Sequence, residues 1–248
     1  MQPYGSPQSL GSPTNHIIGG SPADIADFPY QCSLRYSGSH TCGCVILTKS
    51  KILTAAHCVD GRTTSSFSVY AGSTSRTEGG VLRSVLSQKV HENYNDGSAT
   101  FANDVAVMTL SGTFDLGDAN IEAAVLSRSD DPDYAGDDCI LTGWGRTSSS
   151  NTLPDDLMKV TTTGLSRADC QSAMSAITGV NIQNMHLCVM TAGKDGGSCN
   201  GDSGGPMQCR GKIAGVTSWG ISSSGNCLTT YPSVYARVGH FYDWISNA

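Results

Sequence analysis

The sequence predicts an all-β protein, and three observations support this fold class. From Ile17 onwards, short runs of β-type residues alternate with turns, and no repeat of fixed period is evident. The chain has 29 glycines and only 15% charged residues, which is typical of turn-rich proteins. Its 248 residues allow one large domain or two small ones. Two all-β halves of about 110 residues each would fit a pair of small barrels.

Most of the chain is predicted as strands, preceded by a leader and divided by a linker. Residues 1–16 are mainly Pro, Ser, Gly and Gln and are predicted to form a flexible leader. The acidic, turn-rich stretch 113–138 is predicted to link the two halves. The clearest predicted strands are residues 30–36, 43–48, 67–71, 104–110, 139–143 and 212–218.

Only two segments favour helix. The first opens with Ser166 and Asp169, which have the spacing of a capping box. The second ends the chain and places Phe241, Trp244 and Ile245 on one helical face.

Charge and hydropathy exclude two classes of partner. The net charge is −6 and the Lys and Arg residues are scattered, which argues against nucleic-acid binding. No apolar run is long enough to span a bilayer, so we expect no membrane insertion.

Ten cysteines are the strongest compositional signal. An even number of this size favours a disulfide framework, which forms in oxidising compartments, so we expect a secreted, extracellular protein. Residues 1–15 have neither the charged start nor the apolar stretch of a signal peptide. We therefore expect that any signal has been removed, or that Met1 was supplied for expression.

Two motifs carry the chemistry: TAAHC around His57 and GDSGGP around Ser203. Either one alone is usually structural, since an isolated Ser-Gly-Gly is commonly a turn. The second motif also fits G-x-S-x-G, the nucleophile elbow of α/β-hydrolases. That interpretation needs a helix after the serine and a catalytic histidine further on. Here Pro206 and a short strand follow, and the prominent histidine lies far upstream. The nucleophile-elbow interpretation is therefore excluded.

The chain order His, Asp, Ser is the alternative, and NDVAVMTL supplies the acid. Asp104 opens this nearly continuous apolar run, which would carry its carboxylate towards the interior. Taken alone, Asp104 could simply be a strand-entry turn. A buried carboxylate needs a partner, however. The motifs around His57 and Ser203 therefore favour a catalytic role for Asp104 over a simple turn.

Together these motifs resemble the chymotrypsin-like serine proteases. IIGG, TAAHC, NDVAV, LTGWG, GDSGGP, VTSWG and PSVYARV occur in the family's order, and the match runs from Ile17 to the end. The resemblance implies an activation peptide at 1–16 and a peptidase domain at 17–248. The domain would contain two six-stranded Greek-key β-barrels, at about 28–115 and 136–238, with the active site between them. A short helix at about 239–247 would end the chain.

The resemblance also implies a catalytic triad. Ser203 would attack the scissile carbonyl, His57 would transfer its proton, and Asp104 would orient the imidazole. The N–H groups of Gly201 and Ser203 would form the oxyanion hole. The substrate backbone would pair with Ser218, Trp219 and Gly220.

Specificity depends on what we call the primary pocket, implied to include Gly197, Ser198, Gly220 and Ser233. Gly197 stands at its base, where an Asp would favour Arg or Lys. Gly220 leaves the entrance open, whereas Ser233 replaces a common glycine and could narrow the base. We expect cleavage after large apolar or aromatic residues. Basic specificity is the alternative, if a shifted loop brings Asp195 near.

Activation in this family frees a new N-terminus, which would here be Ile17. Its ammonium would pair with Asp202. The preceding residue is His16, whereas the family's usual activation site ends in Arg or Lys. This departure puts the activating enzyme in doubt, but not the activation principle.

The cysteines near His57 raise two possibilities, a metal site or disulfides. The resemblance implies the pairs Cys42–Cys58, Cys139–Cys209, Cys170–Cys188 and Cys199–Cys227, which leaves Cys32 and Cys44. In a hairpin around Gly38, paired residue numbers sum to 76, so Cys32 and Cys44 would face each other and form a fifth disulfide. A zinc site would need His57, which catalysis requires free.

We expect no cofactor or metal, since Glu78 is the only carboxylate in the loop where calcium-binding relatives place their ligands. We expect a monomer that acts on proteins or peptides and could meet protein inhibitors. The main alternative function is a protease-like binding protein without activity. Such proteins usually lose a triad residue, and here His57, Asp104 and Ser203 are all present.

Overall fold

The computed structural model describes residues 17–147 and 152–248. The expected leader, including His16, lies outside these ranges. Within them the chain is almost entirely strand and turn, with a two-residue strand β1 (Ser21–Pro22) before the first barrel.

Six antiparallel strands close the first barrel in the order β2-β3-β4-β7-β6-β5. They are β2 (Gln31–Tyr36), β3 (Ser39–Thr48), β4 (Lys51–Thr54), β5 (Phe67–Ala71), β6 (Val81–Val90) and β7 (Ala106–Leu110). Short 3₁₀ turns lie at Ile25–Asp27, Ala56–Cys58 and Thr64–Ser66.

The second barrel follows the order β9-β10-β15-β12-β11-β8, and pairing of β8 with β9 closes it. Strand β1 adds to its outside along β9. Its strands, with a small separate hairpin formed by β13 and β14, are β8 (Asp138–Gly143), β9 (Met158–Leu165), β10 (His186–Met190), β11 (Pro206–Cys209), β12 (Lys212–Trp219), β13 (Ser222–Ser223), β14 (Asn226–Cys227) and β15 (Ser233–Arg237). The prediction of two six-stranded β-barrels is confirmed.

The two predicted helices are also present. Helix α1 (Arg167–Ala173) begins at Ser166, whose hydroxyl accepts the Asp169 N–H at 3.1 Å, as the capping-box spacing predicted. Helix α2 (Val238–Asn247) buries Phe241 and Ile245 against the core. Among the described residues, no helix is long and apolar enough to cross a membrane.

The barrels are joined by an apolar core and by a buried polar contact. In β9, buried and more exposed residues alternate, as expected for a strand with one face on the core. Across the barrel interface, the Thr142 hydroxyl donates to the Gln31 side chain at 2.7 Å, and both residues are buried. The residues expected to form the site therefore lie on two barrels that pack against each other.

One strand begins later than the pattern indicated. Residues 104–110 were expected as strand, but β7 begins at Ala106, and Asp104 lies in the preceding loop. Asn103 has a left-handed backbone with φ 56°, which ends the preceding turn just before Asp104. Outside the ladder, the Asp104 carboxylate is free to meet a side chain from a neighbouring loop.

Five disulfides join the described cysteines, in the pairs expected: Cys32–Cys44, Cys42–Cys58, Cys139–Cys209, Cys170–Cys188 and Cys199–Cys227. The predicted hairpin register is confirmed at Cys32 and Cys44, which are directly opposed with Cα atoms 4.8 Å apart. A bulge after Leu34 shifts the register only nearer the turn.

Removing the Cys32–Cys44 cross-link with the double variant Cys32→Ala/Cys44→Ala should lower the free energy of unfolding by about 3 kcal/mol. The reason is that closing a loop of about 13 residues restricts the unfolded chain. Urea denaturation would measure the loss. The single variant Cys32→Ala also breaks the cross-link, so a similar loss would separate this effect from the small change in packing. An unchanged free energy of unfolding would contradict the prediction.

Candidate active site

The three residues expected to form the triad come from separate loops at the junction of the barrels. His57 lies in the 3₁₀ turn after β4, and Asp104 lies in the loop before β7. Ser203 precedes β11 of the second barrel. Its carbonyl accepts the N–H of Gly43 at 2.8 Å, which ties the serine loop directly to the first barrel.

Asp104 holds His57 at two points. The carboxylate oxygen Oδ2 accepts from His57 Nδ1 at 2.8 Å, and Oδ1 accepts the His57 backbone N–H at 2.9 Å. The Ser218 hydroxyl donates to Oδ2 at 2.5 Å. Asp104 is 1% exposed, so these bonds replace water around a buried carboxylate. Because the Asp104 carboxylate accepts at Nδ1, the ring hydrogen lies on Nδ1. In a neutral imidazole, Nε2 is then able to accept a proton.

Ser203 lines a cavity that Ser218, a hydrogen-bond partner of Asp104, also lines. Within the described part of the chain, the Ser203 hydroxyl makes no hydrogen bond, to His57 Nε2 or to any other residue. Bonds of this kind are commonly loose without substrate. The flanking backbone is fixed, because the Gly204 N–H donates to the Thr217 carbonyl at 2.8 Å.

The loop before Ser203 has the conformation needed to expose N–H groups. Gly201 has φ 101°, which favours glycine, and a Cβ there would lie 3.0 Å from the Cα of Gly145. Among the described residues, the N–H groups of Gly201 and Ser203 have no acceptor. Both remain available to a substrate oxygen.

His40 holds this loop in place through a hydrogen bond to the Gly201 carbonyl. Burial lowers its pKa to about 4, so the ring is neutral at physiological pH. A carbonyl can only accept, so Nε2 carries the hydrogen and donates to the Gly201 oxygen at 3.0 Å. Nδ1 then accepts from the Ser33 hydroxyl at 2.8 Å.

Asp202 lies between Gly201 and Ser203 in the chain and is fully buried. Its carboxylate accepts the N–H groups of Gly145 at 2.8 Å and Cys199 at 2.9 Å. Burial nevertheless raises its pKa to about 7, because the two N–H groups only partly offset the loss of water. Ile17 is also fully buried, and its neighbour Ile18 bridges to Gly197 in the same region.

The primary pocket is a cavity of about 200 Å³ beside Ser203. Of the expected residues, Ser198, Gly220 and Ser233 line it. Gly197 does not line it, but a Cβ at this position would lie 2.9 Å from the Ser233 hydroxyl. Asp195 is also outside the lining, where it accepts from the Thr191 hydroxyl at 3.1 Å. The described lining contains no charged side chain.

Sequence patterns did not find every contributor. Ser218 was expected only to pair with substrate backbone, but its hydroxyl also binds Asp104. Phe101 lines the pocket, with its ring 6.3 Å from that of Trp219 and 6.5 Å from that of His57. No motif marked Phe101 or His40, since neither role depends on neighbouring residues in the chain.

The metal question concerned His57 with Cys32, Cys42, Cys44 and Cys58. Of these, the possible ligand atoms of Cys42, His57 and Cys58 lie within 4.8 Å of one another. Both sulfur atoms belong to one disulfide. Neither is a thiolate, the form in which cysteine binds zinc, so these residues do not suit a metal ion.

The chain is similar to proteins of known sequence over nearly its full length. The family model described as Trypsin matches residues 17–245. Fibrinolytic enzyme, isozyme C, from Lumbricus rubellus is 43% identical over 240 residues, covering 93% of this chain and 99% of that protein. A chymotrypsin-like serine proteinase from Haliotis rufescens is 36% identical, covering 96% and 94%. Trypsin delta from Drosophila erecta is 39% identical, covering 92% and 87%.

A solved structure is similar as well. It is that of the scabies mite inactivated protease paralogue S-D1, with a TM-score of 0.81 and 29% sequence identity. The alignment covers 93% of this chain and 96% of that one.

Proposed function

The chain belongs to the trypsin family of serine proteases and is a serine endopeptidase, and we propose that it cleaves after large apolar or aromatic residues using Ser203, His57 and Asp104. The observation that carries the catalytic assignment is the buried Asp104 carboxylate bonded to His57 at two points, next to the cavity that Ser203 lines. The rest of the site is consistent with acyl transfer to a serine.

In the proposed mechanism, His57 Nε2 takes the proton of the Ser203 hydroxyl as its oxygen attacks the scissile carbonyl. The N–H groups of Gly201 and Ser203 stabilise the resulting oxyanion, by about 3–4 kcal/mol per donor. The imidazolium then gives its proton to the leaving amine, and an acyl-enzyme forms. Water then attacks the acyl-enzyme while His57 Nε2 takes one of its protons. The imidazolium returns this proton to the Ser203 oxygen as the ester bond breaks and the new carboxylic acid leaves. Asp104 orients the imidazole and stabilises the imidazolium.

The preference for large apolar or aromatic residues rests on the lining of the primary pocket. Ser198, Ser233 and Trp219 all line it, and none of them carries a charge. A Cβ at Gly220 would meet nothing within 4 Å, so the entrance is open. A guanidinium or ammonium buried here would lack a counter-charge, which disfavours Arg and Lys.

A peptide library is expected to show cleavage mainly after Phe, Tyr, Leu or Met. Ser233→Gly should raise kcat/KM for the largest aromatic residues relative to Leu by about tenfold, because it removes a side chain at the base of the pocket. Ser111→Gly, in the turn after β7, is the matched control and should leave the ratio unchanged. Dominant cleavage after Arg or Lys would refute the specificity and favour a role for Asp195.

The alternative function is an inactive binding protein. The similar scabies mite structure is described as an inactivated protease paralogue, so this fold also occurs in such a protein. In this chain the residues of the proposed triad are present, and His57 and Asp104 are in contact. Labelling by an organofluorophosphate, with the modification mapped to Ser203, would separate the two functions. An unlabelled, folded protein would favour the binding protein.

The proposal includes synthesis as a secreted precursor. Five disulfides among the described residues fit an oxidising compartment. The buried Asp202 and the burial of Ile17 fit activation by cleavage after His16. A free Ile17 ammonium would then supply the charge that the Asp202 carboxylate lacks.

A further inference from the structure

A groove on the first barrel carries two arginines and begins next to Gly201. It has a volume of about 280 Å³ and is lined by Arg35, His40, Arg76 and Leu153, together with the turn between β2 and β3. We call it the basic groove. His40 binds the Gly201 carbonyl, and a Leu153 methyl carbon lies 3.1 Å from where a Cβ at Gly201 would stand.

The position of the basic groove relates it to the direction of a bound substrate. The primary pocket lies on the second-barrel side of Ser203 and shares no lining residue with the groove. If the proposed function is right, the residue before the cleaved bond occupies that pocket and its carbonyl oxygen faces Gly201. The chain after the cleaved bond must then leave across Gly201 towards the first barrel, where His40 and the basic groove lie.

Arg35 is a positioned and unneutralised charge. Its Nη2 donates to the Arg76 carbonyl, and its guanidinium lies 4.1 Å from the centre of the Tyr70 ring. Within the described ranges, no carboxylate lies within ion-pair distance of it. An arginine has five N–H donors. On Arg35 one donates to the Arg76 carbonyl and the Nε–H is buried, which leaves the three other N–H groups on Nη1 and Nη2 without an acceptor among the described residues.

Arg76 is anchored in a similar way. Its Nε donates to the Pro154 carbonyl at 3.1 Å, and its Nη2 pairs with Asp155 at 3.0 Å. The Asp155 side chain is 76% exposed, so this pair is weak and can be shared with another carboxylate. The charges of both arginines also act on His40, where they add to burial in lowering its pKa.

A third cation, Arg62, contacts Thr41, the residue after His40. Arg62 is exposed, donates to the Thr41 hydroxyl at 3.1 Å and lies over the Tyr36 ring at 5.3 Å. The whole chain has a net charge of −6, so its overall field repels acidic peptides. Attraction of an acidic side chain would therefore have to come from this local cluster.

We propose that the basic groove binds acidic side chains of the substrate within about three residues after the cleaved bond, a reach set by roughly 3.3 Å per extended residue. Arg35 and Arg76 are then specificity-determining residues on the leaving-group side. Their planar guanidiniums suit carboxylates in particular, since each can donate two parallel hydrogen bonds.

Internally quenched peptides would test this. The peptides share one sequence up to the cleaved bond and carry Glu, Gln or Lys at the second and third positions after it. We expect kcat/KM to be about threefold to tenfold higher for Glu than for Gln, as two partly exposed charge contacts allow, and lowest for Lys. The Glu/Gln ratio should fall towards one as salt is added.

Variants would locate the effect. Arg35→Gln and Arg76→Gln should each lower the Glu/Gln ratio. Arg210→Gln removes the same charge from the exposed turn between β11 and β12 and should preserve the ratio. Should Arg35→Gln fail to fold for lack of its stacking on Tyr70, the Arg76 variant and the three peptides on the unaltered enzyme still decide the question.

A p-nitroanilide with the same residues before the cleaved bond separates this inference from the proposed function. It has no residues on the leaving-group side, so its hydrolysis reports catalysis alone. Hydrolysis of the anilide with a Glu/Gln ratio of one would overturn the role of the basic groove only. A ratio above one that persists in both arginine variants would also overturn it. Failure to hydrolyse the anilide and all three peptides would overturn the proposed function.

Discussion

Replacing Ser203 by alanine should lower kcat for peptide hydrolysis by about a million-fold. The substitution removes the oxygen that forms the acyl-enzyme, and only the oxyanion-hole donors and substrate binding remain to assist water. His57→Ala should be nearly as severe, and combining the two should add little, because serine and histidine act as one unit.

The loss should occur without unfolding. Among the described residues, the Ser203 hydroxyl makes no hydrogen bond, and its loop is held through backbone contacts to Gly43 and Thr217. Thermal denaturation of Ser203→Ala should therefore match the unaltered protein. Ser111→Ala serves as a control for an exposed serine and should retain activity. A pure Ser203→Ala preparation with more than a small fraction of wild-type turnover would refute the mechanism.

The chain with residues 1–16 attached should be almost inactive until it is cut before Ile17. A peptide-bonded Ile17 nitrogen has no charge, so the buried Asp202 carboxyl lacks a cation. Its pKa is raised to about 7. The stability that this raised pKa contributes is complete below the unfolded value of about 4 and is lost as pH rises through 7. At neutral and higher pH, the uncut chain should therefore give up this arrangement of the loop from Gly201 to Ser203.

Cutting before Ile17 should stabilise this loop arrangement at neutral pH, because the Ile17 ammonium can pair with an ionised Asp202. This pairing should raise the pKa of the amine above its usual value of about 8. Its stabilisation is present in full below that usual value and is lost as pH rises through the raised pKa. The active enzyme should accordingly lose activity in alkali, because the Ile17 amine loses its proton there.

N-terminal sequencing, combined with activity measured against pH, would test both statements. Asp202→Asn is the informative variant, since an amide cannot hold the ammonium, and it should stay nearly inactive after the cut. Trypsin should activate poorly because His16 precedes the bond. Full activity in a preparation whose only N-terminus is Met1 would contradict the precursor proposal.

Local patterns in the sequence were sufficient for much of the fold. Turn residues and β-type runs predicted the two all-β halves, and the capping-box spacing at Ser166 and Asp169 predicted the start of α1. The register of a hairpin follows from its turn, and so the pairing of Cys32 with Cys44 was predictable by arithmetic. All of these features depend on residues close together in the chain.

The sequence motifs identified His57, Asp104 and Ser203 as candidates, but only the tertiary structure decided what surrounds them. The Ser218 hydroxyl reaches Asp104 from 114 residues away, and His40 reaches Gly201 from 161 residues away. Likewise, the basic groove forms where the segment after β5 meets Arg35. The physical reason is that barrel closure and the packing of one barrel on the other set these distances. Neither strand periodicity nor turn chemistry encodes them.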